Sequence, residues 1–307
     1  MSPVFWSNLG PLSWLIAHAL KPSKPPTLIV SIPRSGSSWV GSTLGRSPAA
    51  LYLREPISQP YLLRHKRRGV VFRIDPDALP TGYRASARAA FAGLPSFSGN
   101  VVKFPAQWRL GGRRDRHVLV KEVNPFAVTW LIREFRPRII YLIRHPAAVA
   151  SSFARLGWMN AESPEGEERR FSAARIGLAR PGPGEAYPSA WAEHAALQAM
   201  IMKETLAALA GYDAHMVVQY EELCADPHEG FRRLYDFAGF PWDEDITALI
   251  DAQTNVEEHN RYESYSLYRD SRAMAAAWKA DVDARATDEM REAYLRHGLP
   301  YYPGDAW

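Results

Sequence analysis

The chain has 307 residues, 47% of them hydrophobic and 23% charged, and carries a net charge of +4. That balance excludes a globally disordered protein, suits one α/β domain in length, and favours a polyanionic ligand without the charge of a nucleic-acid binder. A single cysteine, Cys224, excludes an internal disulfide and a Cys-based metal site and favours a reducing compartment, with the cytoplasm as the default.

Residues 1–26 read as an N-terminal arm. Its apolar residues Phe5, Trp6, Leu9, Leu12, Trp14, Leu15 and Ile16 are interrupted by Asn8, Gly10, Pro11 and His18, and no basic stretch precedes them. Neither a signal peptide nor a membrane span is expected; the arm packs on the protein, with a weak membrane-surface contact as the competing reading. Thr27 to Ser31 is a buried parallel strand, Ile32 to Ser38 a turn of small residues, and Trp39 to Arg46 a helix that ends before Pro48. A strand, a small-residue turn and a helix start make an anion cradle, because backbone N–H groups and the helix N-terminus converge there. Leu51 to Leu53 is a short strand that delivers Arg54-Glu55-Pro56 to a loop, and the basic run Arg64 to Arg68 is a solvated loop.

Pro80 to Gly93 is helical in character, Gly111 to Arg114 is a turn, and His117 to Lys121 is a strand. Phe126 to Phe135 is a helix stopped by Pro137. Arg138 to Ile143 is the clearest buried strand; Arg144-His145-Pro146 closes it, and Pro146 starts a helix over Ala147 to Leu156. Asn160 to Pro188 has no period and reads as a surface excursion, a candidate lid. Ser189 caps a helix with Trp191, Ala195, Ala199, Met202, Leu206 and Leu209 at helical spacing. His215 to Gln219 is a strand, Phe231, Leu234, Tyr235 and Ala238 form the face of a helix ending at Gly239, and Arg269 to His297 is largely helical with Trp278 as a core anchor. Strands alternating with helices predict a three-layer αβα fold with a central, mainly parallel sheet, in which residues 27–307 form one domain.

The turn from Arg34 to Ser38 lacks the G-x-x-x-x-G-K-S/T pattern of nucleoside triphosphatases: Ser31 stands at the first Gly and Ser37 in place of the Lys. A magnesium-dependent kinase or ATPase therefore loses its central parts, and no metal is expected. The segment PRSGSSW resembles instead the 5′-phosphosulfate loop of sulfotransferases that use 3′-phosphoadenosine 5′-phosphosulfate (PAPS), a family with a P-loop-like fold. YLIRHPAAVASSF is similar to the same family's 3′-phosphate motif, an Arg ending a strand and a Ser eight residues later, met here by Arg144 and Ser152. VVQYEEL and FRRLYDFAGFPW resemble the family's later strand and helix. The resemblance implies that Arg34, Ser35, Gly36, Ser37, Ser38 and Trp39 hold the 5′ end of PAPS, Arg144 and Ser152 its 3′-phosphate, Tyr220 its adenine, and that Arg269 helps cover it. The product would be 3′-phosphoadenosine 5′-phosphate (PAP).

The family's aryl and steroid branch has a Lys in the loop and a His base two residues after a later Lys. Here the loop residue is Arg34, and Val123 lies two residues beyond Lys121. The carbohydrate branch pairs a loop Arg with a downstream Glu-Pro, which Glu55-Pro56 resembles, so the likeness implies Glu55 and Arg34 as catalytic residues. Lys121 is open between pairing with Glu122 on the surface and a role in the site, while His145 and His194 read as structural. The expected reaction is sulfuryl transfer to a hydroxyl of a carbohydrate or glycolipid-like acceptor, chosen by the loops at 57–73 and 160–188. The alternatives are tyrosine sulfation of a peptide or protein and, in another class, a non-catalytic nucleotide-binding or membrane-associated module.

Overall fold

Short runs of apolar residues with no polar alternation can be stable as strands only when helices cover both faces of their sheet. The computed structural model describes residues 1–64, 71–75, 77–159, 173, 176, 187–254 and 271–307. Its strands are β1 (Thr27–Val30), β2 (Ala50–Arg54), β3 (His117–Glu122), β4 (Arg138–Ile143) and β5 (His215–Gln219). They pair in parallel in the order β2-β3-β1-β4-β5, with Leu28 level with Val120 on one side and Ile139 on the other. Leu28, Val30, Leu53, Val120, Ile139 and Tyr141 belong to one core and Ile29, Tyr52, Leu119, Ile140, Leu142 and Val218 to another, which is the alternation of a sheet buried on both sides. The three-layer αβα architecture follows.

The helices in chain order are α1 (Pro11–Ala19), α2 (Ser37–Leu44), α3 (Ser58–Arg64), α4 (Thr81–Phe91), α5 (Val128–Phe135), α6 (Pro146–Arg155) and α7 (Ala190–Leu209). After β5 come α8 (Tyr220–Ala225), α9 (Pro227–Ala238), α10 (Glu244–Thr254), α11 (Ser271–Ala276), α12 (Trp278–Asp281) and α13 (Ala284–Leu295). Local rules fix several ends. The Ser189 hydroxyl accepts from the Ala192 N–H to open α7, Pro146 stands in the first turn of α6, and Gly239 closes α9 at φ 74°.

The structure departs from the sequence expectation in places. α2 starts at Ser37, two residues early, because Gly36 takes the left-handed conformation that turns the chain into the helix. The 126–135 helix is preceded by a 3-10 turn, Pro125–Ala127, and the tail is three helices, broken where the Asp283 carboxylate accepts from Ala286 N–H to open α13. Helices α1, α3, α8 and α10 were not expected. Arg269 and, apart from Ala173, Ile176, Tyr187 and Pro188, the 160–188 excursion lie outside the described residues.

The arm packs on the body through Val4 and Trp6, which join the first core; the Trp6 indole donates to the Trp108 carbonyl at 2.8 Å. In this order the chain leaves β1 for β2 on one side of the sheet and leaves β3 for β4 on the other, so the crevice at the C-terminal end of β1 is the topological switch point where α/β sheets bind ligands.

Candidate active site

Loops following all five strands meet at this edge. After β1 the backbone passes through Arg34 at φ 69° and Gly36 at φ 88°, and α2 begins at once. Alternate left-handed residues ahead of a helix turn successive N–H groups toward one point and place the positive end of the helix dipole behind them. The Ser31 hydroxyl donates to the Ser37 hydroxyl at 2.8 Å, tying the start of the turn to the start of the helix. Ser35 is fully buried, and its hydroxyl has no hydrogen-bond partner. Gly36 cannot be replaced without movement, since a Cβ there would stand 2.4 Å from the Tyr220 ring. Ser38 is half-buried on the first turn of α2.

The segment after β4 is in contact with this turn. Arg34 Nε donates to Ser152 Oγ at 2.9 Å, from the turn after β1 to the middle of α6. Arg144, just beyond β4, donates from Nη1 to the Arg34 carbonyl at 3.0 Å and from Nη2 to the Met274 carbonyl at 3.3 Å. Its guanidinium lies 4.5 Å over the Tyr220 ring, and its Nε is buried without a partner. Arg34, Ser35, Gly36, Ser37, Arg144, Ser152 and Tyr220 are therefore one constellation. Trp39 borders it: its ring packs edge-on against Tyr220 at 5.9 Å and against Phe231 at 4.9 Å between centroids, and its indole donates to Gln253 Oε1 at 3.0 Å, seating α2 on α10 and α9.

Glu55 stands one residue past β2, at φ 53°, with its N–H donating to the Lys121 carbonyl at 2.6 Å. Lys121 Nζ pairs with Glu55 Oε1 at 2.5 Å, with 3% and 15% of the two side chains exposed. Strand alternation explains the choice of partner: Lys121 and Glu122 point to opposite faces of β3, so a surface pair between them does not form. Glu122 is buried on the other face and accepts from Ile57 N–H at 2.7 Å and from the Ser58 N–H and hydroxyl. Burial, reinforced by the charge of Glu55, pushes its carboxyl up to about 7 against the lowering effect of those donors. β2 and β1 are separated by β3, so Glu55 lies two strand spacings, about 10 Å, from the turn after β1, with Lys121 on the strand between. Lys103 lies within electrostatic reach of Arg54 and Glu55, and the Arg54 Nε is buried without a partner.

Sequence reasoning missed the Lys121–Glu55 pair, Glu122 and the C-terminal closure. A Glu inside the apolar run His117 to Val123 was a signal for a buried carboxylate that needs donors. The closure had none: His145 stacks on Trp278 at 4.6 Å between centroids and meets Trp307 edge-on at 4.5 Å, while its N–H donates to Glu221, which also accepts from the Tyr302 hydroxyl. Burial drives the His145 ring down to about 3, so it is a neutral packing group, as is His194, also near 3 from burial. Among the described residues no group of three or more His, Cys, Asp or Glu could hold a metal ion.

A parallel α/β sheet with a left-handed turn leading into a helix at its switch point, and a second arginine segment beside it, is a P-loop-like α/β fold. The chain belongs to the sulfotransferase family, whose model matches residues 25–244. No curated protein sequence matches it. Among solved structures it is similar to the sulfotransferase domain from the curacin biosynthetic pathway, at 16% identity over 90% of this chain and 98% of that one, with a TM-score of 0.49. It is also similar to the sulfotransferase domain from the Synechococcus PCC 7002 olefin synthase (18%, 91% and 96%, TM-score 0.48). Mouse sulfotransferase SULT7A1 complexed with PAP aligns over 91% of this chain and 88% of that one at 13% identity and a TM-score of 0.41.

Proposed function

We propose that this sulfotransferase moves a sulfuryl group from PAPS to an acceptor hydroxyl on a carbohydrate or glycolipid-like molecule, releasing PAP. The observation that carries the donor reading is the Arg34–Ser152 hydrogen bond together with Arg144 on the Arg34 carbonyl, which join two anion-binding segments 118 and 110 residues apart. The residues present fit such a donor. Ser35 Oγ and Arg144 Nε are buried polar atoms lacking partners, and the left-handed turn collects N–H groups. Arg34, Ser35, Gly36, Ser37 and Ser38 would hold the 5′ end, Arg144 and Ser152 the 3′-phosphate, and Tyr220, which holds the Arg144 guanidinium, would border the adenine. Trp39, edge-on to Tyr220, would support that ring from α2. Arg269 is assigned to donor cover on resemblance alone.

PAPS supplies the sulfuryl group when bound. Glu55 would accept the proton of the acceptor hydroxyl, with Lys121 orienting its carboxylate through a buried ion pair. Arg34 and the turn N–H groups would offset negative charge at the donor phosphate. The lone, buried Cys224 supports a reducing, cytoplasmic location. No helix among the described residues is long and apolar enough to cross a membrane.

The test is transfer of labelled sulfate from PAPS to fractionated sugar, lipid and peptide acceptors. Label in the sugar or glycolipid fraction is expected, and label only on tyrosine peptides would overturn the acceptor assignment. Glu55→Gln should reduce turnover by about a thousandfold or more while PAP affinity stays within about twofold, the pattern of a lost general base. Undiminished turnover in that variant would remove Glu55 from the chemistry, and donor binding with no transfer to any acceptor would favour a non-catalytic nucleotide-binding module.

A further inference from the structure

The arm is built inside out. In α1 the fully buried residues are small, Ser13 and Ala17, with Ile16 partly buried against the first core, while Leu12, Trp14 and Leu15 are 58%, 48% and 65% exposed. Phe5 and Leu9 in the preceding turn add 82% and 37% exposure, so five large apolar side chains within eleven residues face water. Isolated exposed apolar residues are ordinary, but a cluster on one short element marks a contact surface. The segment is not loose. Trp6 donates to Trp108 and lies 5.0 Å from the Arg113 guanidinium, the Ser13 hydroxyl donates to the Gly10 carbonyl at 2.6 Å, and Arg114 donates to the Ala19 carbonyl at 2.6 Å.

Charge chooses the occupant. There is no Asp or Glu before Glu55, whereas Lys21 and Lys24 are exposed immediately after α1 and Arg114 is exposed where it meets the end of the helix. Asp115 is the only carboxylate in the adjoining 109–116 loop, against exposed Arg109 and Arg114. We propose that the exposed apolar face of residues 5–15, with Lys21, Lys24 and Arg114 beside it, docks on an anionic membrane surface. A short helix with Trp and Leu toward the acyl boundary and cations at headgroup level binds in this way without spanning. A second copy fits less well, because a two-fold contact through this face would set the same cations against themselves. The arm leads into the N-terminal ends of the strands, where Arg138 N–H donates to the Pro26 carbonyl at 2.8 Å and the His117 ring meets the Pro25 carbonyl. The donor turn is at the opposite, C-terminal end of the sheet, so the docked protein presents its active site away from the lipid.

Cosedimentation with phosphatidylcholine vesicles, with and without phosphatidylglycerol, tests this. The full chain should pellet with the anionic vesicles and bind neutral ones about tenfold more weakly. Leu12→Ser/Trp14→Ser/Leu15→Ser should stay in the supernatant while binding PAP as the wild type does, and Lys21→Glu/Lys24→Glu should lose the preference for phosphatidylglycerol. Wild-type protein that ignores both vesicles, or a triple variant that pellets equally well, would overturn the proposal. So would a doubled mass in sedimentation equilibrium that the triple variant abolishes, which would assign the face to a second copy.

Discussion

Arg34 and Glu55 share an uncommon backbone state: both are non-glycine residues at positive φ, 69° and 53°, Arg34 in the turn after β1 and Glu55 one residue past β2. Such a conformation costs roughly 1–3 kcal/mol and survives where neighbours over-determine it. Arg34 is held at its carbonyl by Arg144 and at its side chain by Ser152; Glu55 is held by its N–H on Lys121 and by its carbonyl, which accepts from the Gln59 N–H. Between them Gly36, at φ 88°, does what no other residue can, because a Cβ would both strain the backbone and press on the Tyr220 ring that carries Arg144. Gly36→Ala should therefore weaken PAP binding by about 2 kcal/mol, roughly thirtyfold, with a smaller loss of global stability. Calorimetric titration of PAP reads this directly, and unchanged affinity would mean that the turn does not hold the donor.

At the scale of elements, α3 is held from another strand. Glu122 on β3 accepts from the N–H groups of Ile57 and Ser58 at the opening of that helix, and so fixes the chain immediately after Glu55. Glu122→Ala would leave buried donors unsatisfied and should destabilise the protein by about 3 kcal/mol, with a fall in kcat through loss of the position of Glu55; Glu122→Gln, which keeps an acceptor, should recover most of both. Chemical denaturation and turnover on the two variants separate the effects, and an alanine variant as stable as wild type would sink the role. This non-local support is why α3 was invisible in the sequence, whereas β1, β4 and β5 were legible from their apolar runs and α7 from its cap and period. α1 misled for a different reason: Leu12, Trp14 and Leu15 face outward and only Ile16 among its large residues packs on the core, so its hydrophobic pattern points mostly away from the protein. In the site, Arg34, Arg144 and Ser152 were readable because they fall in two local motifs, PRSGSSW and the Arg144-to-Ser152 spacing of eight residues, that resemble the family's. The Lys121–Glu55 pair needed the strand order and register, which no local pattern contains.

For the whole molecule, His145, His194 and Glu122 are buried groups that shape the acid response, and burial also lowers His117, in the same sense as the other two histidines. His145 and His194 are held near 3 by burial, below the ordinary histidine value of about 6.5, so the unfolded chain binds two protons below that pH that the folded chain refuses. Their contribution to stability is present above about 6.5 and lost as the pH falls toward 3. Glu122, raised to about 7, acts in the opposite sense: its contribution is full below the ordinary carboxyl value of about 4.5 and is lost as the pH rises through 7. Between about 4.5 and 6.5 the balance from His145, His194 and Glu122 is two protons against one, a loss of about 1.4 kcal/mol of stability per pH unit of acidification. His194→Asn should lower the slope in that window by about one proton, and Glu122→Gln should raise it by about one. Denaturant midpoints measured across the window for wild type and both variants give the three slopes. Equal slopes would show that these groups are not the source of the pH dependence; slopes in the predicted order would show that the C-terminal clamp on His145, the α7 packing of His194 and the α3 anchor at Glu122 stay dry in the native state.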